Sequence, residues 1–182
     1  MVALGEEPGA VTMTLGGRLQ TRLVLLSSIG LLWTLAISAV LPRPGGVPVL
    51  AAFRITLASS VAMTVLGFFW ELLYHALQQL RWDKDWPPLF GLVTGLVEVV
   101  PVWWIVRALD ILPDGCTALF GVHFGTTWIL VWLITLGPIS VLQPRWRFEG
   151  GGFSRRPGDA LATFVVANMG MVIALVLLWS VW

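Results

Sequence analysis

Charge is scarce in this chain. Of 182 residues, 12% are charged and 57% are hydrophobic. A soluble domain carries about a quarter charged residues, so this composition cannot coat a water-facing surface at this length. A bilayer removes that requirement, because side chains that face lipid should be apolar. Cysteine is scarcer still: Cys116 is alone, which excludes an intrachain disulfide. Lys84 is the single lysine beside ten arginines. There is no GxxxxGK[ST] phosphate loop, no HExxH zinc motif and no GxSxG nucleophile elbow. One cysteine with distant histidines is not a thiol triad. An enzyme assignment therefore has little support, and no metal site is expected. No extended basic domain is present, which excludes nucleic-acid binding. Alternating hydrophobicity is also missing, so a β-barrel reading fails.

What the chain has instead is long apolar runs. A spanning helix needs roughly 20 mostly apolar residues. Five segments qualify, at about 23–41, 55–77, 88–109, 118–142 and 160–182. The connections are short and rich in Pro and Gly, which break helices. The expected fold is all-α: one integral membrane domain over residues 1–182, a bundle of about five transmembrane helices behind an N-terminal tail of about 1–20. That tail carries acids and glycines and has no basic n-region, so it does not read as a cleavable signal peptide. Asp159 is placed to N-cap the last helix.

Arginine and lysine set the expected orientation. With the N-terminus in the cytoplasm, the inner side holds Arg18, Arg22, Arg81, Lys84, Arg145, Arg147, Arg155 and Arg156. The outer side holds Arg43, Arg54 and Arg107. Trp82, Trp86 and Trp146 fall at the inner interface, and Trp103, Trp104, Trp179 and Trp182 toward the outer one. Trp33, Trp70, Trp128 and Trp132 lie deeper. Size and loop length fit a bacterial inner membrane.

Glu98 carries the most information, because it falls near the middle of the third run, three residues before Pro101. A carboxylate at that depth costs roughly 2.5–3.5 kcal/mol on insertion scales, so it should face protein or water, be protonated, or have a partner. Glu71 and His75, four apart in the second run, share a helix face. A short loop joins these runs, so they should be antiparallel neighbours. The expectation is a polar patch of Glu71, His75 and Glu98 in the inner half of the membrane, whose members either bond one another or a partner subunit and fix packing, or handle ions or protons with Asp83 and Asp85 at the entrance. No cofactor is indicated. His75 and His123 lie at opposite depths, on the order of 20 Å apart from helical rise alone, so a single bis-His haem is not expected.

Gly91 and Gly95, and Gly121 and Gly125, form GxxxG patterns, which let helices approach closely. The connection 143–159 holds Arg145, Arg147, Arg155 and Arg156 beside Trp146, Phe148, Phe153 and a triple glycine. It is expected to be flexible and to contact anionic lipid or a partner. Together these features point first to an accessory or structural subunit of a larger membrane complex, whose partners are the bilayer and other membrane subunits or further copies of itself. The alternative is a small ion- or proton-coupled transporter or channel using Glu98, Glu71 and His75. A third reading is an intramembrane enzyme acting on a lipid-like substrate, which requires a pocket open to the inner leaflet.

Overall fold

The computed structural model describes residues 13–43, 46–82, 87–148 and 150–153, and beyond them Val165, Met169, Val172, Ile173, Val176, Trp179 and Ser180. The architecture is all-helical, with no strand among the described residues. Four helices are long and apolar enough to cross a membrane: α1 (Leu15–Val40), α2 (Val49–Leu80), α3 (Pro88–Ala108) and α4 (Thr117–Leu142). A short α5 (Pro144–Phe148) follows. The expected fifth span, 160–182, lies outside the described residues but for seven helical positions, and Asp83, Asp85, Arg155, Arg156 and Asp159 lie outside them altogether.

Consecutive long helices pack as neighbours, and α1 touches both α2 and α4. α1 starts eight residues before the expected span. Thr14 caps it by accepting a hydrogen bond from the Gly17 amide at 3.0 Å. Charge does not stop the helix there, because Arg18 and Arg22 turn into the bundle rather than toward water. At 32 residues α2 outlasts a perpendicular crossing; about 48 Å of helix must tilt or project from the hydrocarbon layer.

Two helices carry π turns. In α1 the turn is Leu26–Gly30, where Ser27 and Ser28 donate back to the carbonyls of Leu23 and Val24 and so compete with the amides of the ladder. In α4 it is Thr135–Ile139. Pro138 offers no amide to the ladder there. α3, by contrast, runs unbroken through Pro101.

The buried apolar core sits toward the end of the bundle where α1 finishes and α2 begins. Leu41, Ala52, Ile55, Val106, Leu112, Cys116 and Phe120 meet there. Outward faces stay apolar and exposed, among them Leu32, Val65, Phe69, Leu96, Trp104 and Ile129. That surface is suited to lipid.

The 143–159 connection is not a loose linker where it is described. Gly150 and Gly151 have φ of +66° and +86°, a region that favours glycine. They fold the chain back onto α1. The Gly150 carbonyl accepts from the Thr14 amide at 2.9 Å, and the Gly151 carbonyl from the Thr21 hydroxyl at 3.0 Å. Gly17 permits the approach, since a Cβ there would collide with the Gly150 backbone.

Candidate functional site

A charged cluster is built from three helices at the end of the bundle where α1 and α3 begin. Arg18 and Arg22 come from one face of α1, Glu71, Tyr74 and Gln78 from one face of α2, and Glu98 from α3. Arg22 is the hub. Its two terminal nitrogens grip both oxygens of Glu98 in a fork, Nη1 to Oε1 at 3.0 Å and Nη2 to Oε2. Nη1 also donates to Glu71 Oε1 at 3.1 Å. Arg18 pairs with Glu71 Oε2 at 3.7 Å and donates to Gln78 Oε1 at 3.0 and 3.3 Å. Two cations and two anions therefore face one another. Exposure is only 8% at Arg22 and 1% at Glu98. Such a pair holds only with good geometry and further hydrogen bonds, which the fork supplies.

Glycine and tryptophan shape the space around the hub. The guanidinium of Arg22 lies on Gly67, where any Cβ would strike it. Its other side faces Trp128, 5.1 Å from the ring centroid, a cation–π arrangement. Trp128 in turn rests on Gly95 and donates to the carbonyls of Gly91 and Leu92, both at 3.2 Å.

Beside the cluster is a pocket of about 270 Å³. Arg18, Arg22 and Glu71 form its polar wall; Tyr74, Trp128, Trp132 and Trp146 form an aromatic one; Leu26, Val131 and Leu136 add apolar surface. The indoles are fixed: Trp132 donates to the Pro88 carbonyl at 2.9 Å and Trp146 to the Thr21 hydroxyl at 2.7 Å. Ring faces are thus presented without free indole donors. Glu98 is not part of the pocket wall.

The expected patch of Glu71, His75 and Glu98 is met in two of its members. Glu71 and Glu98 come together, through Arg22 rather than directly. His75 follows one turn after Glu71, half-buried and outside the ion pairs, and its Nδ1 has no hydrogen-bond partner among the described residues. The glycine pairs divide as well. Gly91 and Gly95 seat the tryptophan rings of α4, whereas a Cβ at Gly121 or Gly125 would meet nothing among the described residues. Arg145 and Arg147 are exposed on α5.

Sequence reasoning missed Arg18, Arg22 and Gln78. It placed both arginines among the charges of the inner surface. The signal was present: Arg18 and Arg22 are four apart, and Glu71, Tyr74 and Gln78 follow the three-and-four spacing of one helix face. Two carboxylates expected near the middle of apolar helices call for cations, and the nearest lay on the preceding run.

A second, uncharged cluster occupies the other half of the bundle. His123 is fully buried, and its Nε2 lies 2.9 Å from the Thr34 hydroxyl and 3.5 Å from that of Ser60. The Thr34 and Ser60 hydroxyls are 2.9 Å apart. Ser38 and Thr56 pair at 2.6 Å one turn further on. Ser60 precedes His75 by about 22 Å of α2, so one haem iron could not reach both histidines. Among the described residues no group of His, Cys, Asp and Glu is placed to hold a metal ion.

No protein-family model matches the chain, and neither a curated protein nor a solved structure resembles it significantly.

Proposed function

We propose that the chain is a small solute-handling membrane protein that takes an amphipathic molecule into the pocket beside Arg22. One observation carries this reading. Glu71 and Arg22 belong at once to the buried ion-pair network and to the pocket wall, while Glu98 is sealed behind them. A charge cluster that served packing alone would have no need of a pocket. A solute with an acceptor-rich polar end meets the guanidinium donors of Arg18 and Arg22, and its flat or apolar part lies against the fixed rings of Trp128, Trp132 and Trp146. Whatever displaces Glu71 from Arg22 leaves the Arg22–Glu98 fork to carry the buried charge. That makes Glu71 the movable member, and Glu71 and Glu98 the ion-handling pair of a carrier. His75 stays a candidate for the same task one turn away.

The proposed setting is a bacterial inner membrane, with five spans, 160–182 being the fifth, the N-terminus cytoplasmic and the C-terminus outside. Arg18 and Arg22 are consumed by internal pairing. Arg81, Lys84, Arg145, Arg147, Arg155 and Arg156 still outnumber Arg43, Arg54 and Arg107, in the sense of the positive-inside rule. The pocket then opens at the cytoplasmic leaflet.

A second reading, an accessory subunit of a larger complex, is favoured by Gly121 and Gly125. No described residue lies within 4 Å of a Cβ at either glycine, which leaves room for a closely approaching helix.

Native mass spectrometry of the protein released from its own membranes in mild detergent separates the two. A bound small molecule, lost in Thr94→Trp, which fills the pocket from its α3 wall, supports the solute reading. Stoichiometric protein subunits with no small molecule in either form would replace it with the subunit reading.

A further inference from the structure

The two polar clusters are linked by a continuous buried stripe. On α2 it runs through the buried Thr56, Ser60, Thr64, Gly67 and Gln78 and the half-buried Glu71. Successive steps to Glu71 are three or four residues, about one helical turn, and Arg18 bridges the last one from Glu71 to Gln78. From Thr56 to Gln78 the helix rises about 33 Å, close to the thickness of a hydrocarbon core. Apolar residues would fill this seam more cheaply. Instead α1 and α4 add Thr34, Ser38, His123 and Thr127 to it, all buried.

Three polar atoms along the seam have no hydrogen-bond partner among the described residues: His123 Nδ1, Thr127 Oγ1 and Arg22 Nε. Thr127 lies one turn beyond His123 on α4, toward Arg22. Thr64 lies between Ser60 and Gly67, against which Arg22 is packed. Where lipid excludes bulk water, such atoms are rarely left unbonded, and internal water bonded to several polar groups is the usual answer. The far end of the seam is different. Leu41, Ala52, Leu112 and Cys116, from the ends of α1 and α3–α4 and the start of α2, pack there as a buried apolar plug. The near end reaches the pocket through Glu71 and Arg22.

We infer that the seam is a hydrated proton path, open at the pocket and closed by the Leu41–Leu112–Cys116 plug, with His123 as its relay. A proton arriving by water at Thr127 is passed to His123 Nδ1, while Nε2 releases one to the Thr34 and Ser60 hydroxyls. Imidazole suits this task because its two nitrogens exchange roles. Each group gains and loses one proton, so no co-reactant is consumed. No charged side chain contacts His123 among the described residues; its polar neighbours are the Thr34 and Ser60 hydroxyls. The inference does not depend on what fills the pocket.

The test is proton entry into liposomes that hold the full-length protein and a trapped pH-sensitive dye, driven by a potassium gradient with valinomycin and with no solute added. Wild type should conduct no faster than protein-free liposomes. Leu112→Ser, which breaches the plug, should conduct at least tenfold faster. Adding Thr127→Val to that variant should return the rate to the wild-type level. Cys116→Ser serves as the breach if Leu112→Ser is not monodisperse by gel filtration. A breached protein no faster than wild type would overturn the path, as would a Thr127→Val double variant as fast as the single one. A wild type already at the fast rate would overturn the plug.

Discussion

The two buried clusters solve the same problem by different means. Each places polar side chains from α1, α2 and one later helix in a medium that penalises them. At one end the solution is charge against charge: Arg22 binds Glu98 and Glu71, Arg18 binds Glu71 and Gln78, and a pocket opens alongside. At the other it is neutral: Thr34, Ser60 and His123 bond to one another, all buried. Ionic pairing is strong only while complete, and removing one partner strands a buried charge. Hydroxyl pairing inside membrane bundles averages about 0.6 kcal/mol with a maximum near 1.7. Loss of any one member should therefore be felt far more at the charged end.

The largest effect is expected from Glu98→Gln. It leaves Arg22 facing only the shared Glu71 and should destabilise the bundle by about 3–5 kcal/mol. Thermal unfolding in detergent would show it. Replacing both partners by methionine should recover most of the loss, because a matched apolar pair avoids stranded charge. A single Glu98→Gln as stable as wild type would remove the basis of the comparison.

Next comes the glycine contrast, which sharpens the picture of how the charged end is shaped. Gly95→Ala drives a methyl into the Trp128 ring; overpacking of this kind costs about 1–3 kcal/mol. Gly121→Ala meets no described residue and should be neutral or gain up to about 1 kcal/mol from improved helix propensity. Equal shifts in melting temperature for the two variants would mean that the tryptophan seat is not what Gly95 is for.

Thr34→Val tests the neutral end. It removes the closest partner of His123 and should cost about 0.6–1.7 kcal/mol, well below Glu98→Gln in the same unfolding assay. A cost as large as that of Glu98→Gln would erase the distinction between the two clusters.

Thr127→Val should be the smallest change and the most telling in sign. A dry, unbonded hydroxyl is a liability, and removing one should stabilise by about 1–3 kcal/mol. A hydroxyl bonded to internal water should instead lose up to about 1 kcal/mol on removal. The hydrated seam requires the loss, and a rise in melting temperature would count against it.

Much of this was legible in the sequence, for physical reasons that differ by residue. Apolar runs of spanning length must be helices in lipid, so α1 to α4 could be placed within a few residues in most cases. The exceptions are the starts of α2, six residues earlier than expected, and of α1, where Arg18 and Arg22 looked like surface charge. Charge is read as solvent-exposed by default, and only the rotation of α1 against α2 and α3 turns it inward. Glu98 stood out because its depth is costly wherever the helix points. Convergence with Glu71 followed from the short loop between their helices. The role of Gly67 could not be read, since it depends on an arginine from another helix. His75 is four residues from Glu71, yet the face that meets the pocket and the ion pairs is that of Glu71, Tyr74 and Gln78, and His75 lies outside it. The polar seam was invisible because serine and threonine are unremarkable in apolar helices until their partners are known.

The most direct single measurement is solute retention by Glu71→Gln in native mass spectrometry, read beside its melting temperature. Glu71 sits in the pocket wall and pairs with Arg18 and with one side of Arg22, while Glu98 holds the fork. A solute site predicts at least tenfold tighter retention of the bound molecule, because the carboxylate that competes for Arg22 is neutralised, with a melting temperature lowered by less than in Glu98→Gln because Glu98 still holds the fork. An unchanged complement of bound molecule in a folded Glu71→Gln protein would contradict it, and the charged cluster would then stand as packing alone.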